Sequence, residues 1–474
     1  MLFSSITFLY YFLPVVLFLY FIFPKKGRNL VLLISSAVFY AWGEPKYVFL
    51  MFFSILSGWV FGFYIEKYRG TKKSKLFMVV SVSINMGLLV LFKYADFFIE
   101  TLNWVLQKSS LSMDASIPLL KLALPIGISF YTFQIISYTI DLYYNRMKPQ
   151  KNIITFAAYV ALFPQLIAGP IVRYLTVEQE LKHRENRISD LSEGVIRFTI
   201  GLGKKVLLAN VMGEICELYK SGTENSVLFA WMYVIGFSYQ IYFDFSGYSD
   251  MAIGLGKIFG FHFPENFIYP YEAKSITEFF RRWHISLGTW FRDYVYIPLG
   301  GNRVRLSRKV INILIVWMLT GLWHGAGFNF ILWGLYFGIW MLAEKYVFAG
   351  FSAKLPNALK HFFTLVLIFF GWVLFDAESG SQALWQIGNL FGFYTEALFG
   401  QQSVYYLKSY MIPFILAMIG ATHYPKMVIQ KIMNRKAGEY LIRGIQPLFI
   451  AALMIMITAY LIDSSFNPFI YFRF

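Results

Sequence analysis

Apolar runs of near-membrane length, separated by short polar joints, fill most of this chain. They fall near residues 6–23, 29–42, 46–64, 76–93, 121–141, 153–169, 194–213, 226–244, 309–326, 328–348, 361–376, 405–422 and 447–462. Several are shorter than the roughly 20 residues a helix needs to cross a bilayer. Short or glycine-broken runs are expected to be re-entrant, shielded by protein or a water-filled cavity. The first run is expected to stay as a helix. Met1 to Ser5 holds no basic residue, and Ile6 to Phe23 has no small-residue cleavage site. No internal repeat or low-complexity linker interrupts the pattern. One membrane domain over residues 1–474 is expected, with its core roughly within 120–345.

One stretch departs from the greasy background, from Ser275 to His324. Ser275 followed by Glu278 reads as a capping box, so a helix should start there. Ile276, Phe280, Trp283, Leu287, Trp290 and Tyr294 then fall on one apolar face. Thr277, Arg281, His284, Gly288 and Arg292 fall on another, by helical spacing. Pro298 and the pair Gly300–Gly301 should end that helix. A basic patch follows (Arg303, Arg305, Arg308, Lys309), then a hydrophobic helix running to His324 with Thr320 and Gly321 on the same face. An amphipathic helix bearing one histidine thus feeds a membrane helix bearing a second.

Composition sharpens the class. The chain is 58% hydrophobic and only 14% charged, against about a quarter charged in soluble domains. The fold class is therefore an all-α polytopic membrane protein. A net charge of +16 raises nucleic acid as a partner. The basic residues, however, sit in short clusters between apolar runs and read as topology signals and lipid or phosphate contacts. Lys25, Lys26 and Arg28, then Lys67 to Lys75, then Arg146, Lys148 and Lys151 follow odd-numbered runs, which puts the N-terminus outside. Beyond residue 170 the alternation blurs. A single cysteine, Cys216, rules out an intramolecular disulfide framework and reads as a small buried apolar residue.

Polar groups inside apolar runs are costly and tend to mark function. Ser129, Tyr131 and Gln134 sit in a broken helix start, and Asp141 closes that segment. Gln165 lies between Pro164 and Pro170. The richest run, 239–250, carries Tyr239, Gln240, Asp244, Ser246 and Asp250. Each singly is as well explained by helix–helix hydrogen bonding; as a set they are expected around one cavity.

The strings DFSGYSDMAIG (244–254), RRWHISLGTWFRDYVYIPLGG (281–301), GLWHGAG (321–327), FPQLIAGP (163–170) and FNPFIYFRF (466–474) resemble the membrane-bound O-acyltransferase family. The resemblance runs nearly end to end. It points to the bacterial branch of alginate and peptidoglycan O-acetyltransferases, with teichoic-acid D-alanyl transferases more distant. It implies a bowl of about 11–13 tilted and re-entrant helices around a central funnel, with two histidines at its narrow point. His324, in the WHG string, takes the catalytic position and His284 the second. It further implies acetyl-coenzyme A as donor, a polysaccharide acceptor, an extracytoplasmic acetyltransferase partner and a place in the bacterial cytoplasmic membrane. Surrounding membrane lipid is the remaining partner.

Chemistry fits the resemblance. Acyl transfer from a thioester to a hydroxyl needs a base, and imidazole, with a reference pKa near 6.5, is suited to that. Arg281, Arg282 and Arg303, with Arg305 and Arg308, are the candidate phosphate contacts for the donor, although the last two read better as positive-inside anchors. Trp283, Gln134, Tyr239, Gln240, Asp244 and Ser246 complete the expected binding set. A metal site is not expected, since two histidines and no cysteine pair make too few ligands. A transporter would share the broken helices and buried acids but commonly shows related halves. A multispan glycosyltransferase would want an acidic nucleotide-sugar site. D-alanyl transfer would need a carrier-protein donor.

Overall fold

The structure is a computed structural model that describes residues 1–109, 116–222 and 224–463. The terminal string 466–474 lies outside the described residues. Among these, the chain is helical, and the only strand-like pairing is an isolated bridge between Ser226 and Ala397.

The N-terminal third forms a hairpin layer. α1 (Leu13–Ile22) and α2 (Arg28–Gly43) run antiparallel, so that Gly43 returns to the amino group of Met1. α3 (Tyr47–Lys67) and α4 (Lys72–Lys108) follow. At 1.5 Å per residue α3 is about 31 Å long, enough to cross the hydrocarbon. Both pack on α5 (Ile128–Tyr143), whose Ile135, Tyr138 and Leu142 fill the notches at Gly58 and Gly62 of α3.

The middle is short and broken. α6 (Ile153–Val160) and α7 (Phe163–Leu166) split the expected 153–169 run, because Pro164 starts a new turn and Pro170 stops it. α8 (Tyr174–Lys182) precedes α9 (Ile188–Gly203), which continues through a π-helical turn into α10 (Asn210–Lys220). These surround α11 (Val227–Ile258), which is buried along most of its length. Two glycine pairs let α9 lie directly on α11. A Cβ on Gly201 would come 2.6 Å from the Gly247 carbonyl, and one on Gly194 would come 2.7 Å from that of Gly254. Without side chains the backbones reach contact, the small-residue packing favoured between membrane helices.

α12 (Ile276–Arg282) and α13 (Ile285–Phe291) come next, then a π-helical turn over Arg292–Tyr296. The expected continuous helix from Ser275 is therefore two helices broken at His284. The capping box is half formed. Ser275 Oγ accepts from Glu278 N at 3.0 Å, but the Glu278 carboxylate turns to Lys274 N and Arg282.

α14 (Leu306–His324) and α15 (Phe328–Tyr346) form the second tight hairpin. Gly321 faces the Phe330 carbonyl and Gly334 faces that of Trp317, at distances no Cβ would allow. α16 (Ala349–Lys354), α17 (Asn357–Asp376), α18 (Gly380–Leu390), α19 (Gln401–Gly420), α20 (Tyr424–Met433) and α21 (Lys436–Asp463) complete the described chain.

Among the described residues, six helices are long and apolar enough to cross a membrane: α3, α4, α14, α17, α19 and α21. The multi-pass reading holds, with fewer full crossings than apolar runs. α11 is long, but it is packed inside protein and carries the buried acid Asp244. α21 lies at the opposite extreme, with Leu448, Ile455 and Ile462 more than 70% exposed, as suits a lipid-facing helix.

Candidate active site

His324 is the last residue of α14. Its helix ends because Gly325 is extended, at φ −164°, while its N–H still reaches the Gly321 carbonyl at 3.3 Å. The imidazole is boxed by aromatic rings. Trp323 and Trp333 both have ring centroids 5.1 Å away, and Phe375 stands at 5.4 Å. The α14–α15 hairpin and the end of α17 thus fix the ring from three sides.

His284 sits at the break between α12 and α13 in the left-handed region (φ 44°, ψ 52°). For a residue with a Cβ that conformation costs on the order of 1–2 kcal/mol and persists only where surroundings impose it. Here Asn266 imposes it. Its backbone carbonyl accepts from Ile285 N at 3.0 Å, and its side-chain oxygen accepts from Ser286 N at 3.1 Å and Ser286 Oγ at 2.9 Å. Those two donors orient the amide. The same oxygen lies 3.3 Å from His284 Nδ1. An amide oxygen only accepts, so Nδ1 carries the proton and Nε2 of the neutral ring is left as an acceptor. Nε2 is buried without a partner among the described residues. Phe245 of α11 stacks edge-on against this ring at 4.6 Å.

The two imidazoles approach to 6.5 Å between ring centroids, and both are at least 96% buried. They line one cavity of about 1240 Å³. Ligand sites commonly measure ~300–1,000 Å³, so this one suits a substrate larger than a single sugar. It runs along α14 from Ile313 to His324 and out past Lys345 of α15 to Lys360 of α17. Five cationic side chains line it (Lys274, Arg281, Arg292, Lys345, Lys360) against one carboxylate, Glu344. That carboxylate is already engaged, accepting from Ile276 N at 2.5 Å and Thr277 N at 3.1 Å at the start of α12. Arg292 is itself paired with Asp293 at 2.6 Å, so the cavity's positive charge rests on Lys274, Arg281, Lys345 and Lys360.

His324 also lines a second, small cavity of about 50 Å³, with Lys93, Gly127, Ser129 and Ile167. The two cavities share His324 and no other lining residue. The small one touches Ile128, where α5 begins. The large one touches Arg292 and Tyr296, in the turn whose Tyr294 Oη donates to Asp141 at 2.7 Å near the end of α5. The sixteen residues of α5 separate those ends by about 24 Å. Arg146 pairs with Asp141 at 2.7 Å, so the basic loops lie on the face of the large cavity.

Two side chains of α4 that sequence reasoning missed hold the end of α14. Lys93 Nζ donates to the Trp323 carbonyl at 2.5 Å, with the His324 carbonyl at 3.4 Å, and Tyr94 Oη donates to the Leu322 carbonyl at 2.6 Å. They satisfy carbonyls that a helix end leaves unpaired. A lysine within an apolar, lipid-length run was the available signal.

Of the sequence-predicted residues, the structure brings His284, His324, Trp283 and Arg281 into the large cavity. Arg282 stands beside it but is committed to Glu278 at 2.5 Å and Glu272 at 3.7 Å. Arg303 is exposed and does not line the cavity; Lys345 and Lys360 hold the positions foreseen for it. The polar set on α11 does not gather there either. Asp244 forms a buried ion pair with Lys205 at 2.6 Å, and Tyr239 packs on Phe243 and Tyr271. Gln240 and Ser246 are buried outside the lining, as is Gln134 on α5. No cluster of three or more metal-ligating side chains occurs among the described residues.

Comparison with known proteins bears on this geometry. Residues 34–376 match the membrane-bound O-acyltransferase family. The chain is 42% identical over 392 residues to a protein of Pseudomonas aeruginosa named probable alginate O-acetylase, covering 82% of this chain and 74% of that one. It is 34% identical over 428 residues to a peptidoglycan O-acetyltransferase of Helicobacter pylori, covering 83% and 80%. A teichoic acid D-alanyltransferase of Bacillus subtilis is 30% identical over 274 residues, 53% of this chain and 69% of the relative.

Proposed function

Because the chain belongs to the membrane-bound O-acyltransferase family and is an O-acyltransferase, we propose that it moves an acetyl group from acetyl-coenzyme A to a polysaccharide hydroxyl across the bacterial cytoplasmic membrane. The observation that carries this reading is that His324 is the one residue shared by the linings of a large basic cavity and a small separate one. A relay through an extracytoplasmic acetyltransferase partner belongs to the same reading. The donor enters by the large basic cavity. Its phosphates meet Arg281, Lys345 and Lys360, and the positive-inside rule puts that face in the cytoplasm.

His324 is the base. As the acceptor oxygen attacks the thioester carbonyl, its proton passes to the His324 imidazole, and the carbon–sulfur bond then breaks. The proton next passes to the departing thiolate, which leaves the ring neutral for another turnover. His284 is best suited to accept a hydrogen bond from a second hydroxyl of the acceptor and so orient it, since the single proton of the attacking hydroxyl goes to His324. Its Nδ1–H is held by Asn266, which leaves Nε2 a lone pair. An oxyanion donor is needed elsewhere. The aromatic box of Trp323, Trp333 and Phe375 keeps bulk water from the thioester and so limits hydrolysis.

D-alanyl transfer is the weaker reading, because the acetyl-transferring relatives match more of the chain at higher identity. Purified protein incubated with acetyl-labelled coenzyme A tests the proposal. Release of free thiol with transfer of label to an alginate or peptidoglycan fragment, or to the partner, supports it. Absence of any thioester turnover, with such acceptors and membrane extract supplied, counts against it.

A further inference from the structure

Away from the reaction cavity, two guanidinium groups share one tyrosine. Arg28, the first residue of α2, holds its Cζ 4.8 Å from the Tyr20 ring centroid; Arg184, between α8 and α9, stands at 5.8 Å. Arg184 also lies 4.5 Å over Phe261. Their hydrogen bonds go to amide oxygens instead of carboxylates. Arg28 Nη1 donates to Asn186 at 2.5 Å, and Arg184 Nη2 donates to Asn29 at 2.6 Å. Each keeps one buried nitrogen without a partner among the described residues, Nε of Arg28 and Nη1 of Arg184.

The nearby acids are committed elsewhere. Glu180 takes the backbone N and Nδ1 of His262, at 3.1 and 2.7 Å, and Glu185 takes Arg187 at 2.8 Å. Two like charges are therefore held together with no carboxylate hydrogen-bonded to either, which is costly unless an anion joins them. Burial pulls the Arg184 guanidinium below its ordinary range; Tyr20 and, more weakly, Glu180 oppose this, and Arg28's charge adds to it. Neither arginine lines the large cavity, so this is not the donor's phosphate site.

We propose that Arg28 and Arg184 bind the phosphate of an anionic lipid head group at the rim of the face that carries Lys25 and Lys26. Paired guanidinium forks match phosphate oxygens, and they leave the two unpartnered N–H groups with acceptors. The acyl tails find apolar surface next door, since Phe21, Ile22 and Phe23 at the end of α1 are 41–62% exposed. That adjacency favours a lipid over free phosphate. The site is independent of the acyl-transfer reading.

The full chain, purified and placed in nanodiscs, tests this by native mass spectrometry and thermal melting. Phosphatidylglycerol should be retained about tenfold more than phosphatidylcholine and should raise the melting temperature. Arg28→Gln/Arg184→Gln should lose that selectivity, while Arg28→Lys/Arg184→Lys keeps part of it. Equal retention of phosphatidylglycerol by the glutamine variant overturns the proposal. Stabilisation by inorganic phosphate alone, without lipid selectivity, overturns the lipid assignment. A photoactivatable phosphatidylglycerol on the wild-type chain needs no folded variant. Cross-links near Tyr20–Arg28 or Arg184 support the site, and cross-links only elsewhere refute it.

Discussion

Asp244 and Lys205 provide the sharpest separation of architecture from chemistry. Their side chains are 2% and 3% exposed and lie 2.6 Å apart, inside protein at the π-helical turn after α9. Removing one partner strands a charge in that interior, at a cost of about 3–5 kcal/mol. Asp244→Leu or Lys205→Met alone should therefore unfold at markedly lower denaturant. In the double variant no charge is stranded. What is lost includes the Lys205 donor to Asn210 Oδ1, a contact of 2.9 Å, worth roughly 1–3 kcal/mol. Equilibrium unfolding in detergent, followed by tryptophan fluorescence, should place the double variant above both singles. Acetyl turnover per folded molecule should stay within a few-fold of the parent, because the pair lies outside the cavity lining. A double variant that folds as well as the parent but no longer turns over the thioester would return Asp244 to the chemistry and refute this reasoning.

Other consequences follow from the site's supports. Asn266→Ala should release both His284 and Ser286, lowering kcat by at least tenfold with little change in donor KM; steady-state kinetics checks it. Lys93→Met removes the donor that holds the Trp323 and His324 carbonyls, so kcat should fall while donor KM is kept, and Lys93→Arg should recover part of the rate. Arg281→Gln with Lys345→Gln should raise donor KM several-fold and flatten its salt dependence, whereas Arg303→Gln should do neither, as rates across ionic strengths will report.

Much of this was legible in the chain and some was not, for identifiable reasons. Apolar run length marks α3, α4, α14, α17, α19 and α21 because lipid imposes length and greasiness together. His324 was legible because it ends such a run beside glycines. The break at His284 was not. Helical spacing fits residues 276–294 throughout, and the interruption comes from Asn266 and from Trp283 packing on Trp372 at 4.9 Å, partners that spacing within the segment does not contain. The Asp244 pairing was not legible either, because its counter-ion Lys205 lies on another element. Lys93 escaped notice because a single lysine in an apolar run gives no hint of which carbonyl it meets. Of the basic residues, Arg281 lines the cavity and Arg303, exposed in the turn at 300–303, does not, a difference that spacing alone does not contain.

The most direct measurement is acetyl-coenzyme A turnover by His324→Ala beside the parent, with melting recorded on the same samples. Loss of about a hundredfold or more in kcat at an unchanged melting temperature is the predicted result. A well-folded His324→Ala enzyme that still releases thiol and transfers label within a few-fold of the parent rate would contradict the central claim that this imidazole takes the acceptor's proton.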